Sequence, residues 1–188
     1  MSTGGNPAVE KFETRHVPFY GHRSATAPAT CAQRHMWDLI RREMPDSAFY
    51  DFCHEVVLPG HGTVEDVLAV CGELVARHES LRTAFFHDAD DGLVQAVARS
   101  GSFEAQICAT GPGESAQFVY EAWRRRIRDR AFDLRNGPPL RALVVVTDHV
   151  PVLAAFCVSH LAADLMSMRT LAGEALTLLA ARTARTAA

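Results

Sequence analysis

The run Val150-Pro151-Val152-Leu153-Ala154-Ala155-Phe156-Cys157-Val158-Ser159-His160-Leu161-Ala162-Ala163-Asp164-Leu165 decides how this chain folds. Its first part, 150–158, is an uninterrupted apolar segment of strand length. The residues after it, 167–181, carry leucines at helical spacing, so His160 is predicted at a strand-to-helix turn. A histidine on the exit of an apolar strand, with an aspartate four residues on, is an acyl-transfer site in outline. An amine or hydroxyl attacking a thioester needs a base that titrates near neutrality, and imidazole is the side chain that ordinarily does. Such a base must be held in one tautomer. A carboxylate or a backbone carbonyl does this directly, and an ion pair does it indirectly by fixing the loop; Asp164 is a candidate for that last role.

Working outward from this run, helices alternate with short strands. A strand is predicted over 14–20 and a polar loop over 21–28. Thr30 is placed to cap a helix over 32–43 with Met36, Leu39 and Ile40 on its apolar face, ended by Pro45. A strand over 49–58 leads through the turn 59–62 to Thr63, the cap of a helix over 64–78 whose core face is Val67, Leu68, Cys71, Leu74 and Val75. Strands are predicted over 81–87 and 93–97, about a turn at 88–92, and over 103–109. A loop at 110–113, a helix over 114–128 and a strand over 140–147 complete the pattern. Helices packed on a mixed sheet make an α/β sandwich.

A second segment, Arg77-His78-Glu79-Ser80-Leu81-Arg82-Thr83-Ala84-Phe85, resembles the RHExLRTxF motif of nonribosomal peptide synthetase condensation domains, and every specified letter matches. The likeness continues in family order. Ala32-Gln33-Arg34-His35-Met36-Trp37 is similar to the first block of that family. Phe132-Asp133-Leu134 through Gly137-Pro138-Pro139-Leu140-Arg141 is similar to its FDL...GPLLR block, and Ser159 to Leu165 is similar to its HHxxxDG block. The sequence departs from the last motif twice: Ser159 replaces the first histidine, and Leu165 replaces the glycine. Glycine there would permit positive φ and close approach of a substrate arm, both of which a γ-branched residue resists.

The resemblance implies a chloramphenicol acetyltransferase-like two-layer sandwich. It further implies that residues 1–188 form a single N-terminal lobe; along the chain itself, 1–12 reads as a disordered or extended leader and 182–188 as a polar-alanine tail. In the family, paired lobes join a carrier-bound acyl thioester to an amine or hydroxyl. His160 then takes the catalytic or positioning role, Asp164 is expected to be buried and bridged to Arg82, and Ser159 and Leu165 line the substrate channel. Arg82 is preferred to Arg77 for the bridge because it begins a strand able to run beside the motif strand. No cofactor is expected to be bound, since substrate arrives on the phosphopantetheine of a carrier protein. The expected partners are that carrier and a second lobe, in a homo- or hetero-oligomer whose interface is an exposed apolar patch. The alternative is a scaffold that holds a carrier domain without chemistry: Leu165 and the missing second lobe favour it, while His160 and Asp164 favour transfer.

Composition agrees with this reading without sharpening it. The chain has 188 residues and a formal charge of -3, so general attraction to nucleic acid or to an anionic membrane is not expected. It has no apolar run long enough to span a bilayer and no signal-peptide pattern at its start, so a cytoplasmic protein is expected. The five cysteines lack metal-ligand spacing and read as free, mostly buried thiols. The nine histidines offer no paired metal spacing, and His35, His61, His78 and His149 read as surface or capping residues. In the arginine cluster 124–130, Trp123 and Ile127 supply an apolar stripe that leaves the arginines in solvent; a dock for an acidic carrier or a phosphate is the less favoured use.

Overall fold

The computed structural model describes residues 12–42, 50–90 and 92–186. The element order is β1 (Glu13–Tyr20), β2 (Ala25–Pro28), α1 (Cys31–Arg42), β3 (Asp51–Val57), α2 (Val64–Arg77), a 3-10 turn (Glu79–Arg82), β4 (Thr83–His87), β5 (Leu93–Val97), β6 (Ser100–Ala109), α3 (Ala116–Ile127), β7 (Leu140–Thr147), β8 (Val150–Ser159) and α4 (Leu165–Thr186). The expected leader lies outside the described residues except at Phe12. So do the predicted start of the third strand and Pro45, the predicted stop of the first helix.

The strands form two sheets. A five-stranded sheet runs β1-β6-β7-β8-β3, and a three-stranded sheet runs β2-β5-β4. In the larger one only β6 and β7 are parallel, so it is mixed as expected. The run 150–158 explains its central position. Alternate residues of β8 face opposite sides, and both sides are covered: Ala154, Phe156 and Val158 pack with α2 and α4, while Leu153, Ala155 and Cys157 pack with α3. A strand buried on both faces reads as a continuous apolar run. Helices therefore flank the larger sheet on both faces in an α/β fold.

The local signals act as predicted in α2. Thr63 Oγ1 accepts from the Asp66 N–H at 3.1 Å while Asp66 Oδ2 accepts from the Thr63 N–H at 3.0 Å, a reciprocal capping box. All five predicted core residues of that helix are buried. Thr30 likewise accepts from the Gln33 N–H at 3.2 Å at the start of α1.

Three predicted stretches differ. The tail predicted from residue 182 continues α4 as helix to Thr186, the last described residue. Residues 25–28 form a strand rather than loop, one of the two outer strands of the small sheet; three of the four are exposed, so no apolar alternation marks them. The strand predicted from Leu81 begins instead at Thr83. The Leu81 N–H turns back to the His78 carbonyl at 3.1 Å, and Thr83 Oγ1 donates to the Glu79 carbonyl at 2.7 Å, which winds 79–82 into the 3-10 turn.

Candidate functional site

The end of β8 is tied down by backbone bonds before the chain enters α4. The Ser159 N–H donates to the Pro139 carbonyl at 3.0 Å, and the Ser159 carbonyl accepts from Ala162 and Ala163 at 2.9 and 3.3 Å, turning the chain over. The His160 N–H donates to the Tyr50 carbonyl at 2.9 Å, so β3 and β8 present this histidine together. Its Nδ1 lies 3.1 Å from the Ala163 carbonyl. A carbonyl only accepts, so Nδ1 carries the proton and Nε2 keeps its lone pair in the neutral ring. The Phe52 ring stands edge-on to the imidazole at 4.7 Å, closing one side of it. Nε2 has no hydrogen-bond partner among the described residues, and the side chain is half-buried. The imidazole is thus held in one orientation and one tautomer with its basic nitrogen available. Of the orienting groups left open by the sequence, the backbone carbonyl performs the task.

The expected pairing of Asp164 with Arg82 is absent. Asp164 is exposed and caps α4: its Oδ1 accepts from the Ser167 N–H at 2.7 Å and from the Ser167 hydroxyl at 2.6 Å. These two bonds hold its carboxyl below the usual range, with a smaller contribution from His160. Asp164 thus fixes the helix that follows His160 and supports the loop by a different route. Arg82 is buried, as a bridging arginine would be, but its guanidinium donates to the carbonyls of Ala76, Arg23 and Ala98 and lies 3.6 Å from Glu79. The expected strand adjacency does not arise, because β4 belongs to the small sheet and β8 to the large one. Arg77, the rejected alternative, is exposed and pairs with Glu73 and Glu174, the latter also 2.9 Å from His78.

The two residues expected to line a channel are separated. Ser159 is buried and opens on a cleft of about 440 Å³ with Trp37, Ile40, Asp51, Phe132 and Arg135. Leu165 is 59% exposed and adjoins Met166, 66% exposed, at the first turn of α4. It is not among the positive-φ residues, so the missing glycine costs no backbone strain here. What Leu165 changes is the space beside the His160 loop.

Sequence reasoning missed Asp51. It pairs in register with Ser159 across β3 and β8, and burial pushes its carboxyl up to about 7 against the pull of the Arg141 guanidinium. No local signal marks it, because the desolvation comes from a strand more than 100 residues away in sequence. The arginine of the FDL...GPLLR block, Arg141, is also buried. It donates to the carbonyls of Arg130 and Ala131 at 2.6 and 3.0 Å and stacks 4.2 Å from the Phe132 ring, anchoring the segment that walls the Ser159 cleft. Trp123 and Ile127 are buried as read, and Arg130 pairs with Glu104 through two contacts of 3.0 Å. Among the described residues, no cluster of three or more His, Cys, Asp or Glu side chains is placed to hold a metal, and no helix is long and apolar enough to cross a membrane.

Residues 23–183 match the family model of the condensation domain, and the chain belongs to that family. It is 32% identical over 175 residues to the isonitrile lipopeptide synthase of Mycobacterium tuberculosis, covering 89% of this chain and 7% of that protein. It is 28% identical over 138 residues to the fusarin C synthetase of Gibberella fujikuroi, covering 73% of this chain and 3% of the other. A crystal structure of a mutant starter condensation domain of the rhizomide synthetase RzmA, in complex with C8-CoA and Leu-SNAC, superposes with a TM-score of 0.69 at 19% identity. That match covers 81% of this chain and 35% of the solved one. This chain thus spans under a tenth of either synthetase and about a third of the solved domain. The fold is that of a condensation domain, the chloramphenicol acetyltransferase-like α/β architecture expected from the sequence.

Proposed function

We propose that this chain is the His160-bearing lobe of a condensation-type acyltransferase in natural-product assembly, working with a carrier protein and a second lobe. His160 Nε2 takes the proton of an amine or hydroxyl as it attacks the acyl thioester carbonyl. The carbon–sulfur bond breaks, the carrier keeps the sulfur as thiolate, and the proton passes to it from the imidazolium. The product is an amide or an ester. The single observation that carries this reading is the Nδ1 contact to the Ala163 carbonyl, which leaves Nε2 unbonded among the described residues and the ring fixed against Phe52. The C8-CoA and Leu-SNAC complex of the solved neighbour supports a thioester as the acyl source, delivered in the cell on the phosphopantetheine of a carrier. A pairing lobe, from a copy of this chain or from another, would exclude water from that thioester. Exposed Leu165 and Met166 lie beside the loop such a lobe would cover.

The test is a paired assay of variants with carrier-loaded acyl donor, amine acceptor and the partner lobe. His160→Ala should lower single-turnover product formation by about two orders of magnitude or more, the usual loss when a general base is removed. Leu165→Gly should keep or raise it, since the change widens the approach and α4 retains its Asp164 cap. Unchanged turnover in His160→Ala would instead identify a lobe that holds a carrier without chemistry.

A further inference from the structure

On the face of the large sheet covered by α3, β3 and β8 bring two thiols together. Cys53 and Cys157 are register partners, and their sulfurs lie 2.9 Å apart. All five cysteines are free in the structure, and 104 residues separate these two in sequence. The pair lines a cleft of about 490 Å³ whose other walls include Arg124, Arg125 and Arg128 of the α3 end. Cys53 is half-buried and Cys157 buried, so a small solute entering the cleft meets Cys53 first.

We propose that Cys53 and Cys157 are an oxidisable pair that closes to an intramolecular disulfide when a peroxide enters this cleft. The Cys53 sulfur attacks the peroxide O–O bond, leaving a sulfenic acid and releasing one water from hydrogen peroxide. The Cys157 sulfur then displaces the hydroxyl as a second water, forming the S–S bond. Two thiols and one hydrogen peroxide thus give one disulfide and two waters, the sulfurs losing the two electrons that the peroxide gains. The order of events follows from position as well as access. Contact with the Cys157 thiol, and the nearby Arg124, push the Cys53 thiol down, while the same contact and burial push Cys157 up. Cys53 is therefore the attacking sulfur and Cys157 the resolving one. Closing the bond asks for a sulfur displacement under about 1 Å, since a disulfide spans about 2.05 Å.

The location gives the bond a consequence. β3 is an edge strand whose one neighbour is β8. It carries the Phe52 ring that stands against His160, and the residue before it, Tyr50, accepts the His160 N–H. A covalent tie one residue from Phe52 and three from His160 holds the edge strand in the register that presents the imidazole. The pair itself does not depend on the acyl-transfer reading, and its test involves no turnover.

The full-length protein is reduced, exposed to hydrogen peroxide, then unfolded and alkylated. Three alkylatable thiols, Cys31, Cys71 and Cys108, should remain, since two of the five cysteines are consumed. The intact mass should fall by two hydrogens, and a non-reducing digest should yield one cross-linked peptide joining Cys53 to Cys157. Cys53→Ser should keep all four of its cysteines alkylatable, with no cross-link at Cys157. A disulfide in any other pairing, a cross-link between chains, Cys53 advancing to sulfinic acid while Cys157 stays alkylatable, or five thiols surviving peroxide that oxidises a small free thiol would each overturn the proposal.

Discussion

At the residue scale, the site is a set of solutions to the problem of keeping polar groups satisfied near a sheet edge. His160 uses a backbone carbonyl three residues on, which needs no second element to be in place. Asp51 has no such help. Its carboxyl is desolvated opposite Ser159, so the folded protein holds a proton on it that the unfolded chain releases near the ordinary aspartate value of about 3.9. Between that value and about 7 the native state binds more protons than the unfolded one, so this group's contribution to stability falls as pH rises through that window. Above the window the penalty is constant, and below it the penalty is absent. Asp51→Asn removes the dependence. Its melting temperature should exceed that of the parent at pH 8, by a free energy on the order of a few kcal/mol at most because the side chain is not fully enclosed, and the difference should vanish toward pH 4. A variant that tracks the parent across the range would place the Asp51 carboxyl in water.

At the scale of elements, the hairpin joining β7 and β8 sets the reach of the strand that ends at His160. Its two linking residues, Asp148 and His149, have φ of 49° and 68°, the left-handed conformations of a two-residue turn that matches strand twist. Neither is glycine, and a side chain in that region strains the backbone. His149→Gly should relieve it and raise stability by about 0.5–1 kcal/mol net of the entropy glycine adds to the unfolded chain. Chemical denaturation is the measurement, with an unchanged denaturant slope as the sign that only the turn has altered. His149 is exposed at the opposite end of β8 from His160, so activity should stay at the parental level.

At the scale of the whole molecule, Arg82 joins the two sheets. Three of the passages the chain makes between them, at 21–24, 78–82 and 98–99, converge on this one guanidinium, which bonds a carbonyl on or beside each: Arg23, Ala76 and Ala98. Gly21 packs so close that an added Cβ would collide with the guanidinium carbon. Arg82→Met keeps the length of the stem and removes every donor, leaving three part-buried carbonyl bonds unmade around a buried side chain. The expected loss is roughly 3 kcal/mol or more in denaturant unfolding. Arg82→Lys should recover little of it, since one ammonium cannot reproduce the fork. Full stability in either variant would show that the sheets are joined by apolar packing alone.

What was legible in the sequence is what is encoded within a few residues. The capping box of Thr63 and Asp66, the buried face of Val67, Leu68, Cys71, Leu74 and Val75, the two-face apolar run of β8 and the turn bearing His160 all follow from periodicity and caps. The family blocks located the same histidine independently. Tertiary structure alone decided which strands share a sheet. That choice separated Arg82 from Asp164, turned Asp164 into a helix cap, and made residues 25–28 an edge strand despite their exposure. It also set the β3–β8 register, which places Asp51 opposite Ser159 and Cys53 opposite Cys157. Register is a long-range property: helix caps and apolar periods are read from neighbours, whereas the residue across a ladder is fixed only when two distant strands have paired.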